Sequence, residues 1–404
     1  MKNIFFLIVL IVLNSCKTET HHLEKGSYRA VLKVNDTLEL PFNFEVLSNS
    51  TINIYNADEI IKVDEIEYKN DSVYIKLPVF EGFITAKLDN NQNLKGYFKK
   101  EMLNRAMFFE AEFNNKERFK VSNQPTKFNV SGNWETVFSP NSEDDKYIAK
   151  GTFSQTGSKV VGTFRTTTGD YRFLEGVLDG NNLKLSTFDG AHAFLFTAKV
   201  IDSTLEGMFY SENHWQEPFI AKRNHNFELP DANELTFLKE GFDSVNFSFP
   251  DETGTSVSLE DDRFKGKVVL VQIMGTWCPN CLDESKFYSE FYKNKENKEM
   301  EIVALAFEYV KTPEAAFKNI KRLKANTGIT YPVLLAQYGS SSKTQAQEKL
   351  PMLNHVLSYP TTIYIDKTGK VRKIHTGFNG PATGEKYAEF KAEFNQFVND
   401  LMLE

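Results

Sequence analysis

The chain has 404 residues, three cysteines and a formal net charge of −7, with 54 acidic against 47 basic side chains. Nothing basic dominates, which excludes nucleic acid as a partner. So few cysteines exclude a disulfide-built scaffold, while the length is enough for two or more domains with cores of their own.

At the start, Met1-Lys2-Asn3 precedes an apolar run over residues 4–13 and then Asn14-Ser15-Cys16. Residues 1–16 therefore have the charge, length and small-residue boundary of a secretory signal. A run of about ten apolar residues is too short to cross a bilayer core of ~30 Å as a helix. Leu13-Asn14-Ser15-Cys16 also resembles a bacterial lipobox, with Asn14 its least typical position. That resemblance implies cleavage before Cys16, acylation of its thiol, and an exported protein of the cell envelope or periplasm anchored to a membrane through lipid. An incidental cysteine in a plain signal peptide is the competing reading.

Between residues 26 and 224, short alternating stretches recur every 10–12 residues between Asn, Asp and Gly, with Phe and Tyr frequent among them. This is an all-β pattern without helical periodicity. Thr85-Ala86-Lys87-Leu88 and Leu94-Lys95-Gly96-Tyr97-Phe98 match Thr197-Ala198-Lys199-Val200 and Leu205-Glu206-Gly207-Met208-Phe209. The match predicts a duplication, with units over 26–120 and 131–224. Each reads as a meander of roughly eight strands that curls into a barrel or sandwich to remove its edges. No catalytic set stands out there. His192, near a turn, and His214-Trp215 are the residues to watch, although a lone histidine beside a hairpin is more often structural. A packed linker is expected over 226–241.

Residues 268–274 are a buried strand interrupted by Gln272, and Trp277-Cys278-Pro279-Asn280-Cys281 follows where a helical pattern begins. Cys278 suits the cap and Pro279 the first helical position, where a missing N–H costs nothing. Thiols three apart share a helix face, and the helix start favours a thiolate. Cys278 is thus the expected exposed nucleophile and Cys281 the more buried resolving thiol. Half a zinc site lacks a second Cys/His pair, and a structural disulfide closing so short a loop would be a poor staple. Along the same helix, Glu284 stands on a stripe with Cys281, Tyr288, Phe291 and Tyr292. If buried, its carboxyl is raised by desolvation and can exchange a proton with Cys281; otherwise it snorkels to solvent. Gln272 reads as a hydrogen-bonded core amide.

Further along, 302–307 reads as a buried strand, Thr312-Pro313-Glu314 as the cap of a helix ending near Gly328, and 331–335 as a strand. Helices are expected over 341–353 and 384–401.

Phe249-Pro250, Phe264-Lys265-Gly266-Lys267, the apolar strand and Gly275-Thr276-Trp277-Cys278-Pro279-Asn280-Cys281 with Glu284 resemble the TlpA/ResA-like branch of the thioredoxin superfamily. Tyr359-Pro360-Thr361-Thr362-Ile363-Tyr364-Ile365-Asp366 resembles its cis-proline loop and following strand. The resemblance covers about 242–404 and implies a thioredoxin-like α/β domain behind the all-β region. It implies Cys278 as attacking thiol, Cys281 as resolving thiol and Glu284 as the buried carboxylate. It further implies a cis Pro360 facing the thiols, and Trp277, Tyr359 and Pro360 as substrate-binding residues. Taken alone, Pro360 is an ordinary strand-start proline. Gln272 stands where classical thioredoxins carry a buried Asp. Peroxiredoxins share the opening, but Val271 and Gly275 occupy the places of their upstream Pro and Thr.

The expected activity is thiol–disulfide exchange by an exported, membrane-tethered oxidoreductase that needs no cofactor and no metal. It is expected to reduce disulfides of other exported proteins with electrons from a membrane donor. A binding or assembly lipoprotein with an accessory redox domain, and a disulfide isomerase, are the alternatives.

Overall fold

The computed structural model describes residues 21–122, 126–293 and 299–404; the signal segment and Cys16 lie outside the described residues. The first nine strands are β1 (Gly26–Lys33), β2 (Glu39–Ser48), β3 (Thr51–Asn56), β4 (Glu59–Val63), β5 (Glu65–Lys69), β6 (Ser72–Lys76), β7 (Phe83–Leu88), β8 (Leu94–Lys100) and β9 (Arg105–Phe113). They form one antiparallel sheet in the order β4-β3-β2-β1-β9-β8-β7-β6-β5. Its edge strands β4 and β5 are separated in the chain by residue 64 alone. The sheet therefore curls back on itself into a barrel left unpaired along that seam.

The second unit contains β10 (Gly132–Phe138), β11 (Tyr147–Thr156), β12 (Lys159–Thr166), β13 (Gly169–Asp170), β14 (Leu174–Asp179), β15 (Asn182–Phe188), β16 (Ala193–Ile201), β17 (Thr204–Ser211) and β18 (Trp215–Arg223). Here β11 also pairs with β12, so eight strands close into a complete barrel, and two-residue β13 is the returning arm of a hairpin on β12. The duplicated motifs occupy equivalent places. Ala86 pairs with Gly96 and Ala198 with Gly207. In both pairs a Cβ on the glycine would lie within 2.4 Å of the facing carbonyl, 2.0 Å at Gly96 and 2.4 Å at Gly207, so close strand approach demands glycine there. The barrel interior is aromatic, with Trp134, Phe138, Phe164, Phe196 and Phe219 buried together.

The last part holds a short hairpin of β19 (Ser248–Pro250) and β20 (Ser256–Ser258), then β21 (Val268–Met274), α1 (Pro279–Lys293), β22 (Met300–Phe307), α2 (Pro313–Thr327), β23 (Val333–Gln337), α3 (Lys343–Lys349), β24 (Thr361–Ile365), β25 (Val371–Thr376) and α4 (Glu385–Leu403). Its five-stranded sheet runs β23-β22-β21-β24-β25, parallel through β21–β23 and antiparallel beyond. This is a thioredoxin-like α/β domain behind an all-β region. Thr312 caps α2 through its side chain, and Gly328 ends it in the left-handed region at φ 68°. The third strand lies two residues later than expected. The helix expected over 341–353 stops at Lys349, because Pro351 disfavours a helical Leu350. Linker residues pack on this domain: Leu238 bridges to Leu353, and the Thr376 amide donates to the Ala232 carbonyl at 2.9 Å.

Three buried junctions join the parts. Phe188 and Leu195 of the second barrel enter the core of the first. Phe80, from the β6–β7 loop, enters the core of the α/β domain. Arg172, 3% exposed, meets Glu59 of the first barrel at 2.5 Å, Asp189 of its own barrel at 3.4 Å, and Asp283 of α1. An arginine cannot shed its charge, so its burial requires anionic partners, which these carboxylates supply. Replacing it leaves them without their cation. Arg172→Met is expected to cost about 3–5 kcal/mol, measured as a lower urea midpoint; a loss within experimental error would show that the apolar junctions alone hold the parts.

Candidate active site

The fully buried β21 delivers the chain into a turn in which the Cys278 amide donates to the Gly275 carbonyl at 3.1 Å. The Cys278 carbonyl then accepts the Leu282 amide at 3.0 Å, so Cys278 is the cap and Pro279 opens α1. The otherwise unused Cys281 amide donates to Cys278 Sγ at 3.3 Å, and that thiol donates to the Tyr359 carbonyl at 3.4 Å. Tyr359-Pro360 is cis. Both cysteines carry free thiols. Trp277 stands edge-on to Tyr359 at 5.6 Å, with its indole N–H on the Phe307 carbonyl at 2.9 Å.

Glu284 is completely buried rather than snorkelling. It accepts from Gln272 Nε2 at 2.8 Å, Thr362 Oγ1 at 2.9 Å and the Tyr288 hydroxyl at 3.2 Å. Burial raises its pKa to about 7 against these donors, which favour the carboxylate. Burial, followed by the neighbouring Cys278, pushes the Cys281 thiol well up, and Glu284 adds to the shift. These two groups are therefore electrostatically coupled one helical turn apart.

Contrary to the sequence expectation, Cys278 is buried, with 8% of its surface accessible. Part of the cover comes from the second barrel. The hairpin between β12 and β13 lies against residues flanking the thiol in both loops. Asn280 Nδ2 donates to the Asp170 carbonyl at 3.2 Å, and the Ser358 hydroxyl to the Thr168 carbonyl at 2.8 Å. Asp170 also accepts the Gly380 amide at 2.7 Å. Gly169 stands at φ 148°, and a Cβ there would sit 2.0 Å from Asn280 Nδ2 and displace that amide.

A Redoxin family model matches residues 239–389. The ResA thiol-disulfide oxidoreductase of Bacillus thuringiensis subsp. konkukian is 31% identical over 153 residues, which cover 38% of this chain and 77% of that protein. ResA of Bacillus subtilis is 31% identical over 35% of this chain and 69% of its own length. The chain belongs to the ResA-like thiol-disulfide oxidoreductase family. A solved thiol-disulfide oxidoreductase from Bacteroides fragilis aligns at 25% identity over 37% of this chain and 99% of its own, with a TM-score of 0.28.

Three groups around the dithiol of this ResA-like protein escaped the sequence reading. Glu308, fully buried at the end of β22, accepts the Thr276 amide at 2.8 Å and its hydroxyl at 2.7 Å, and burial raises its pKa to about 7. Its only sequence signal is a carboxylate directly after an apolar strand. Asp283, on α1, is buried against Arg172. Burial lowers the pKa of Lys343, the first residue of α3, and Cys278, 65 positions earlier in the chain, opposes that shift. Among the described residues no three His, Cys, Asp or Glu side chains are grouped to hold a metal. Of the three residues to watch in the β region, His192 and His214 line one cleft with Trp277, whereas Trp215 is 47% exposed and is not among its lining.

Glu284 and Glu308 both rise from an ordinary 4.5 to about 7. The fold favours their protonated forms, so this contribution is complete below pH 4.5 and is lost as pH rises through 7, roughly 3 kcal/mol for each group. The urea midpoint is expected to fall between pH 5 and 8, and Glu284→Gln to flatten the fall. An unchanged slope in that variant would contradict the raised Glu284.

Proposed function

We propose that this protein is an exported, lipid-tethered reductase that uses its Cys-Pro-Asn-Cys dithiol on disulfides of other exported proteins. Export and tethering rest on residues 1–16 and Cys16, and the electrons are to come from a membrane donor. The observation that carries the chemistry is the free Cys278–Cys281 pair at a helix start, with a buried carboxylate one turn away.

The Cys278 thiolate attacks a client disulfide, forming the mixed disulfide and releasing one client thiolate, which takes up a proton. Glu284 accepts the proton of Cys281. The Cys281 thiolate then attacks Cys278 Sγ, expels the second client thiolate and leaves the Cys278–Cys281 disulfide, so two electrons have passed to the client. When Cys278 ionises it no longer donates to the Tyr359 carbonyl, which becomes available to an extended client backbone beside Pro360 and Trp277. A second reading, a binding or assembly lipoprotein with an accessory redox domain, is favoured by the Asn280–Asp170 contact that ties the dithiol to a β barrel.

The test is insulin-disulfide reduction. Cys278→Ser is expected to be inactive and Cys281→Ser to accumulate mixed disulfide. Glu284→Gln is expected to slow resolution by about 10²-fold or more and to lose the rise of its rate through pH 7. Glu308→Gln, which alters the hold on Thr276, is expected to keep that rise. A reduction potential near −270 mV supports the reductase, while one near −120 mV would replace it with a disulfide donor or isomerase.

A further inference from the structure

His192, from the β15–β16 turn, and His214, from the β17–β18 turn, meet in a cleft of about 250 Å³ where both barrels border the α/β domain. Thr276 and Trp277, the two residues before Cys278, form part of its wall, and the first barrel adds Lys100 and Arg105.

The carboxylates inside this cleft are already engaged. Glu212, 3% exposed, takes the buried Lys100 ammonium, which also donates to the Ala191 carbonyl. Glu81 accepts the Tyr309 hydroxyl at 2.7 Å, and its burial disfavours the charged form. Arg105, about a third exposed at 35%, has its carboxylate neighbour Glu212 only at 4.0 Å. His214 lies 3.7 Å from that same carboxylate, and the buried His192 Nδ1 lies 3.6 Å from the Asp189 carboxylate. The donor left open to a ligand is thus the Arg105 guanidinium, beside the apolar side chains of Phe80 and Phe194.

A guanidinium fork in a partly dry cleft selects carboxylates. The other approach to the thiol, past Asn280 and Ser358, is occupied by the β12–β13 hairpin. We propose that the cleft docks an acidic segment of the disulfide-bearing client, with a client carboxylate on Arg105 and the adjoining cysteine carried past Trp277 to Cys278. This rests on the thiol–disulfide reading and adds the class of client.

The experiment uses the full chain and two synthetic peptides with serine in place of the client cysteine, one flanked by Glu and one by Gln. Calorimetry is expected to show the Glu peptide binding about tenfold tighter. Arg105→Gln should erase that preference and Arg105→Glu should turn it towards a Lys-flanked peptide. Lys62→Gln, an exposed cation on β4 outside the cleft, should keep it. Equal binding of the Glu and Gln peptides, or an undiminished preference in Arg105→Gln, overturns the proposal, and glutarate binding as tightly as the Glu peptide overturns its assignment to a peptide. Reduction of neutral 2-hydroxyethyl disulfide by the parent chain is followed separately. Its absence would sink the redox reading, while the calorimetry would still report on the cleft.

Discussion

A guanidinium enclosed by carboxylates from three parts of the chain is the constraint on which this architecture turns. Arg172 takes Glu59 from one barrel, Asp189 from the other and Asp283 from the helix that carries the cysteines. Apolar faces tolerate sliding and repacking, but a permanent charge in a dry junction does not. Any displacement of α1 against the barrels would strip Arg172 of Asp283 without giving it water. The junction therefore acts as a registry device. Two residues earlier in sequence, Asp170 holds Gly380 and Asn280, so the same hairpin that carries the buried cation also lies against the dithiol.

That registry changes what the thiols experience. In an isolated α/β domain the helix start would face solvent, and the sequence reading of Cys278 as exposed follows from treating the domain in isolation. Here Cys278 is buried, the hairpin lies on Asn280 and Ser358 to either side of it, and its sulfur's polar contacts are the Cys281 amide and the Tyr359 carbonyl. The proposed macromolecular client then cannot simply collide with the thiol. It must approach along a surface the barrels help to define, which gives two domains without a catalytic set a direct influence on a reaction performed elsewhere.

What was legible in the sequence was local. The Cys-Pro-Asn-Cys turn, the polar intrusions of Gln272 and Glu284 into apolar patterns, the Thr312 cap and the repeated Thr-Ala-Lys and Gly pairs all declare themselves within a few residues. What stayed hidden depends on partners far along the chain. Asp283 has the position of an ordinary solvent-facing helix residue, and only Arg172, 111 positions earlier, makes it a buried anion. His192 and His214 each read as isolated turn histidines, because no local pattern reveals that two hairpin ends converge. The end of α3 is a milder case, since Pro351, which stops the helix at Lys349, lies inside the span expected to be helical.

Two buried carboxylates bracket the redox turn, and their pKa values are raised alike, so burial alone does not separate their roles. Geometry does. Glu308 is anchored to the backbone and hydroxyl of Thr276, two residues before Cys278, and fixes the shape of the turn. Glu284 is held by Gln272, Thr362 and Tyr288 from the sheet and its own helix, and its charge is felt by Cys281. In the proposed reaction the resolving thiol must lose its proton in a site where desolvation opposes a second anion. A carboxyl poised near neutrality and already coupled to that thiol can take the proton so that negative charge is exchanged rather than added. Proton transfer and turn geometry thereby fall to different carboxylates, and neither needs to compromise the other.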